Sequence, residues 1–326
     1  MKEVHVTDAI GMILGHDLTK IVPGEFKGRL FKKGHRIREE DIPQLLNIGK
    51  EHIFVMEIPP GYVHENDGAQ RMAEMTPMAN VNVSEPHEGK VVVKSNIHGL
   101  FRVNPDRLYQ LNCIGELAVV TKKTFTVVKE NDSVAAFRVI PLIVKESKLF
   151  QMDTIVNRNT SDVFLEVQPF RSLRVGIVTT GSEIAKGRIE DRFGPVIKRK
   201  VESYGAFVHR QIIVGDEQAR IVEALETLRD EGCELLICTG GMSVDPDDRT
   251  PSAIRTFATQ VIGYGIPMLP GTMLMLAYHH DIPVFGLPGA VMFDAQTSFD
   301  FLLPRVLAGC SIQANDLAEL GHGGYL

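Results

Sequence analysis

Three glycine-bearing turns hold the residues of this chain best suited to chemistry. They are Thr179-Thr180-Gly181-Ser182-Glu183, Thr239-Gly240-Gly241-Met242-Ser243 and Gly286-Leu287-Pro288-Gly289-Ala290, each directly after a short apolar run. Glycine lets backbone N–H groups come close to an anion, and a helix beginning beyond the turn adds a favourable dipole. Carboxylates stand beside these turns. Glu183 follows the first, Asp216 closes the 212–215 run, and Asp245, Asp247 and Asp248 crowd the loop after Gly241. Acids converging on a phosphate repel it unless a cation lies between, and Mg²⁺ is the hard ion that carboxylates and phosphates commonly share. The pattern therefore proposes one pocket for a phosphorylated small molecule with its counter-ion. Each acid also has a plainer role: Asp216 as the cap of the next helix, and Asp247 or Asp248 at the N-terminus of a helix opening at Thr250-Pro251. Spacing alone leaves both readings open.

The elements that position these turns follow from periodicity. Runs 173–178, 234–238 and 282–285 read as buried parallel strands, and ligands of open α/β sheets sit at the carboxyl ends of such strands. Ile221, Ala224, Leu225 and Leu228 fall at i, i+3, i+4 and i+7, one face of a helix that Gly232 ends. Thr250-Pro251 has the N-cap and first-turn proline of a helix through Ala258. Strands alternating with helices predict an α/β domain over 171–326, a mostly parallel sheet with helices on both faces.

Upstream, residues 1–60 form an opening segment with a helix starting near Arg38–Ile42, a stop at Gly49 and a strand over 52–58. Residues 61–86 are polar and read as a linker, with a helix over 69–78 leading into it. Residues 87–170 shift towards strands, at 90–94, 117–121, 125–129 and 134–144, with a helix start at Asn104-Pro105. This is a small, mixed, mostly β domain, and 168–172 marks its boundary.

Composition sets the class. The chain has 326 residues, 44% hydrophobic and 23% charged, with a formal net charge of −6. That balance argues against a general nucleic-acid binder, which needs an electropositive surface. Cys113, Cys233, Cys238 and Cys310 show no CxxC spacing, so they read as free thiols, with Cys233 and Cys238 flanking a core strand. No apolar stretch reaches membrane-spanning length and the N-terminus lacks a signal core, so a cytoplasmic protein is expected.

Residues 171 to about 310 resemble the molybdopterin-binding domain shared by molybdopterin adenylyltransferases and molybdopterin molybdenumtransferases. Arg174 through Ile184 looks like the family's opening strand and TG-x-E loop, followed by a similar Gly187-Arg188-Ile189-Glu190-Asp191. Val214-Gly215-Asp216-Glu217 is similar to its acidic turn. Thr239-Gly240-Gly241 through Asp248-Arg249-Thr250-Pro251 resembles the TGG…D-x-TP signature of the adenylyltransferase branch. Met242-Ser243-Val244, Pro270-Gly271 and Phe285-Gly286-Leu287-Pro288-Gly289 are closer to the molybdenumtransferases. Gly24-Glu25-Phe26, Lys33-Gly34-His35, Glu40-Asp41-Ile42 and Leu46-Asn47-Ile48-Gly49 resemble the start of that second branch.

The resemblance implies catalytic and metal-binding roles for Glu183, Asp216 and Asp248. It implies contacts to the cofactor from Thr180, Gly181, Ser182, Thr239, Gly240, Gly241, Met242, Ser243, Pro288 and Gly289. Its ligands would be Mg²⁺, molybdopterin or adenylated molybdopterin, and molybdate. It further implies a homodimer, with other cofactor-biosynthesis proteins or a client molybdoenzyme as partners, and neither nucleic acid nor membrane. Three departures stand out: Thr272-Met273-Leu274 where lysine and proline are frequent, Ala290-Val291 where Asn-Pro is usual, and no length after Leu326 for a C-terminal β-domain. Losing a lysine near phosphates removes a stabilising point charge. The expectation is thus molybdopterin binding with molybdenumtransferase-like handling. The alternatives are a non-catalytic carrier or sensor, and a nucleotide hydrolase of the competence/damage-inducible type.

Other residues receive ordinary readings. His279-His280 mark a strand end, Lys198-Arg199-Lys200 a solvated helix face, and Met268, Met273 and Met275 fill core or interface space.

Overall fold

The three runs before the glycine turns become strands of one six-stranded sheet in the computed structural model, which describes residues 1–22, 26–158, 163–243 and 248–323. Gly24, Glu25, Val244, Asp245 and Asp247 lie outside the described residues. The strands are β1 (Arg174–Thr180), β2 (Phe207–Val214), β3 (Leu235–Thr239), β4 (Gln260–Tyr264), β5 (Met275–His279) and β6 (Ile282–Leu287). Their order is β2-β1-β3-β6-β5-β4. The first four are parallel, and the last two run antiparallel to their neighbours.

Alternation along the strands builds a core on each face. Val175 and Ile177 pack on one side with Ile197 and Val201 of α2 (Phe193–Glu202) and with Phe299, Leu302 and Leu303 of α6 (Ser298–Leu307). Val178, Leu236 and Cys238 pack on the other with Ile221, Ala224, Leu225 and Leu228 of α3 (Gln218–Asp230) and with Ile254 of α4 (Thr250–Phe257). The expected helical face at 221–228 is buried as its spacing required. Short helices α1 (Ser182–Ala185) and α5 (Ala290–Phe293) follow the first and third glycine turns.

Two interleaved compact units make up the chain. The first comprises 1–94, 103–122 and 133–165; the second comprises 95–102, 123–132 and 166–326. The first opens with a three-stranded antiparallel sheet in the order Lys2–His5, His52–Met56, Ile13–Leu14. The expected helix near Arg38 appears as a 3₁₀ turn, Glu39–Asp41, running into Ile42–Asn47, and Gly49 follows at φ +75.

Residues 61–86 carry strand Tyr62–His64, helix Glu65–Met75 and strands Met78–Ala79 and Val81–Val83. The helix buries Gly68, Ala69, Met72 and Ala73, mostly small residues, so the segment stays polar in composition. Farther on, Leu117–Thr121, Ser133–Val139 and Lys90–Ser95 pair antiparallel. The expected 134–144 strand breaks into Ser133–Val139 and Ile143–Lys145. Helix Pro105–Asn112 starts where expected, with the Asn104 side chain accepting from the Arg107 N–H at 3.0 Å. Helix Glu146–Val156 is not expected from the sequence pattern.

The cysteines are free, as expected. Cys233 and Cys238 are buried, and desolvation pushes their thiols up to about 11 and about 12. The thiolate is the nucleophile, so both should be inert in the folded state. At pH 8 a maleimide should label exposed Cys113 and reach Cys233 and Cys238 only after urea unfolding, read by peptide mass spectrometry.

Candidate functional site

Strand register lines up the ends that carry the turns. Thr180 stands opposite Val214 across β1 and β2, Thr179 opposite Thr239 across β1 and β3, and Thr239 opposite Leu287 across β3 and β6. The first and second turns touch. Gly240 has φ +86, and a Cβ there would fall 2.3 Å from the Thr180 carbonyl oxygen. Gly241, at φ +53, would place a Cβ 2.9 Å from Thr250 Oγ1. Both positions need glycine for conformation and for space. A side chain at Gly240 would strike the neighbouring turn, so glycine is required there by packing alone.

Beneath the turns, Thr180 Oγ1 and Thr250 Oγ1 share a buried hydrogen bond of 3.0 Å, tying β1 to the start of α4. Thr239 Oγ1 donates to Thr179 Oγ1 at 3.2 Å, and Gln211 Nε2 donates to Thr179 Oγ1 at 2.8 Å. Gln211 also donates to Asp191 Oδ2, while Asp191 Oδ1 accepts from the Phe193 N–H at 2.9 Å and so opens α2.

The carboxylates turn onto backbone. Asp216 Oδ2 accepts from the Ser182 N–H at 2.9 Å and makes no cap bond to α3, whose N-cap is Glu217. Asp216 therefore ties the second strand's turn to the first glycine turn. Asp248 Oδ2 accepts from the Ser243 N–H at 2.8 Å and closes the second glycine turn on itself. Glu183 is exposed in the first turn of α1. The Tyr264 hydroxyl donates to the Met242 carbonyl at 3.1 Å, and burial raises its phenol, keeping it a donor.

A cavity of about 350 Å³ opens at these strand ends. Gly240, Gly241, Met242, Ser243, Asp248, Pro288 and Gly289 line it, joining the second and third turns. Phe193, Met273 and Leu287 form an apolar wall. Gly289 differs from Gly240, because a Cβ there meets nothing within 4 Å. Met242 is only 4% exposed and packs in the core against Gly286, so its side chain mainly supports the turn.

Not every expected residue joins the cavity. Thr180 and Thr239 are buried under it, and Gly181, Ser182, Glu183 and Asp216 stand at the adjoining turn outside its lining. Among the described residues no three His, Cys, Asp or Glu side chains gather closely enough to hold a metal ion. Sequence reasoning misses Phe193, Gln211 and Tyr264, and names Asp191 only within the 187–191 stretch. Met273, expected only to fill space, lines the cavity.

Comparisons with known proteins place this domain. Residues 176–308 match the family described as "Probable molybdopterin binding domain", and residues 3–57 match a domain of unknown function. The first match falls within the C-terminal α/β domain and is consistent with a molybdopterin-binding family. A CinA-like protein of Mycobacterium sp. (strain MCS) is 37% identical over 86 residues, 26% of this chain and 20% of that protein. One from Mycobacterium tuberculosis (strain CDC 1551 / Oshkosh) is 34% identical over the same length. The chain thus spans about a fifth of the length of these curated relatives. Among solved structures, the molybdopterin biosynthesis enzyme MoaB from Thermus thermophilus aligns at TM-score 0.36 and 24% identity, covering 42% of this chain and 97% of that one. The protein CinA from Thermoplasma acidophilum aligns at TM-score 0.33 and 20% identity, covering 37% and 90%.

The Thr180–Thr250 bond predicts a testable cost. Thr250→Val leaves the buried Thr180 hydroxyl unpaired and should destabilise by about 1–3 kcal/mol. Thr180→Val together with Thr250→Val should cost less than the sum of the two single changes, measured by urea unfolding.

Proposed function

We propose that the cavity at the ends of β3 and β6 binds the phosphorylated pterin molybdopterin, free or adenylated, for a step of molybdenum cofactor biosynthesis. One observation carries this reading: in a domain that matches a molybdopterin-binding family, two glycine turns and Asp248 share one cavity with an apolar wall. The residues suit the ligand. Close-approaching backbone favours a phosphate, and Phe193 with Met273 offers a flat apolar surface to a ring. The volume lies within the usual range for small-molecule sites, about 300–1,000 Å³.

In this reading Asp248 both fixes the Ser243 turn and leaves a negative charge at the cavity wall. A phosphorylated ligand then needs a cation between. Mg²⁺ at Asp248 would supply charge neutralisation for the ligand's phosphate oxygens, and Asp216 and Glu183 at the adjoining turn would meet it through water. With few ligands from the chain, the ion would take most of its oxygens from phosphate and solvent. Thr180, Thr239 and Gln211 hold the strand ends at fixed spacing beneath the ligand. Molybdenumtransferase-like turnover, molybdate handling, homodimerisation and a cytoplasmic setting belong to the same proposal. No described helix is long and apolar enough to cross a membrane.

Gly289→Val adds a side chain at a position with open space, so it should leave the unfolding midpoint within error while weakening molybdopterin binding. Equal affinity in the variant, read by oxidised-pterin fluorescence of retained ligand, would reject the cavity.

The Asp248 variants separate charge from positioning. Asp248→Asn keeps an acceptor for the Ser243 N–H and should retain the fold and pterin binding while losing Mg²⁺-dependent release of AMP from adenylated molybdopterin. Asp248→Ala should lose both binding and release. Pterin binding without any release in the wild-type chain would select a carrier, and nucleotide hydrolysis without pterin binding would select the hydrolase reading.

A further inference from the structure

Another cavity, of about 600 Å³, lies wholly within the first compact unit. Lys32, Lys33, Arg36, Arg38 and Arg138 line it, against Glu65 and Glu88. The lining therefore carries an excess of three positive charges in a chain whose formal net charge is −6. A concave wall of one sign focuses potential and concentrates counter-ions.

The basic turn that supplies four of these cations is held in place before any ligand arrives. Gly34 has φ +91, and a Cβ there would fall 2.1 Å from Leu142 Cδ1, so only glycine fits against that side chain. Its carbonyl accepts from His64 Nε2 at 2.9 Å. His64 is buried, and its Nδ1 accepts from the Asn66 N–H at 3.3 Å, which places the ring proton on Nε2. The Lys33 N–H donates to Asp17 Oδ1 at 2.7 Å. His35 stacks on Phe31 with centroids 4.7 Å apart and bonds Asp41 Oδ2 at 2.7 Å. On the facing wall, Asn66 Oδ1 accepts from the Gly89 N–H at 2.8 Å, anchoring the turn that carries Glu88.

The existing ion pairs are exchangeable. Lys32 pairs with Glu88, Arg36 with Asp67 and Arg38 with Glu40, and all six side chains are between 41% and 68% exposed. Exposed pairs of this kind contribute little to stability. Lys33 makes no ion pair with a described residue. A fold that needed these charges only for stability would have no use for four cations on seven consecutive residues around a hollow. Phosphoryl groups place two negative charges on one centre and match guanidinium forks.

We propose that this cavity is a second ligand site, for a small free phosphorylated metabolite held by the Lys32–Arg38 turn and Arg138. It is independent of the pterin site and uses side-chain cations instead of glycine turns.

The test is calorimetric titration of the full chain with pyrophosphate, in a Gly289→Val background that removes the C-terminal cavity from the measurement. One pyrophosphate should bind per chain. Adding Lys33→Ala and Arg138→Ala should weaken it by about a hundredfold or more, since each removes a charge-assisted hydrogen bond. Thermal melting followed by circular dichroism checks the fold. If the Arg138 change lowers the melting temperature, Lys33→Ala with Arg38→Ala makes the same comparison on exposed side chains. Absence of binding in the Gly289→Val chain, or affinity unchanged by the cation replacements, overturns the site. Citrate binding as tightly as pyrophosphate overturns its assignment to phosphate. Either result leaves pterin binding by the Gly289 wild type to be judged separately.

Discussion

The contact between Gly240 and the Thr180 carbonyl sets the geometry of everything at the strand ends. β1 and β3 are adjacent and parallel, so their following turns leave the sheet at one level and must pass each other. They pass at a distance where a Cβ would sit 2.3 Å from the carbonyl oxygen. A larger residue would splay the turns and pull apart the Thr180–Thr250 hydroxyl pair behind them. Gly240 is thus required by the protein's own backbone, whatever else it contacts. The glycine with open space is Gly289, one strand farther along the sheet.

The acids show a related division of labour. Asp216 and Asp248 each spend one oxygen on a backbone N–H, at 2.9 Å and 2.8 Å, and each bond closes or links a glycine turn. A carboxylate is a stronger acceptor for this purpose than a neutral side chain. The same choice leaves negative charge at the strand ends, so a phosphate bound there would need a counter-ion. Positioning and cation attraction are thus two effects of one residue type.

Periodic features were legible because their cause is local. The stripe at Ile221, Ala224, Leu225 and Leu228, the buried strand at 235–239 and the stop at Gly49 each depend on residues a few positions apart. The features that escaped notice depend on distant partners. Gln211 meets Thr179 and Asp191 across separations of 32 and 20 residues, and nothing in its neighbourhood marks that role. The helix expected over 69–78 lies at Glu65–Met75 instead, because its first turn is polar and its buried positions include Gly68, Ala69 and Ala73, which give little apolar signal to fix its ends. Gly68 must be small, since a Cβ would fall 2.9 Å from Val139. Asp216 was ambiguous for another reason: a helix cap and a cross-turn acceptor demand the same residue at the same place, and only the position of the Ser182 N–H decides between them.

The two proposed ligand sites would attract anions by opposite means, and the difference follows from their construction. At the C-terminal strand ends the groups facing a ligand are backbone and a carboxylate on a parallel sheet, so attraction depends on short range, fixed dipoles and an added cation. In the first unit it comes from full charges on exposed lysine and arginine, which reach farther and are screened within about 10 Å at 0.1 M salt. Rising ionic strength weakens the second kind of site more than the first. If both proposals hold, one phosphorylated ligand would be held by short-range shape and fixed dipoles and the other by longer-range charge.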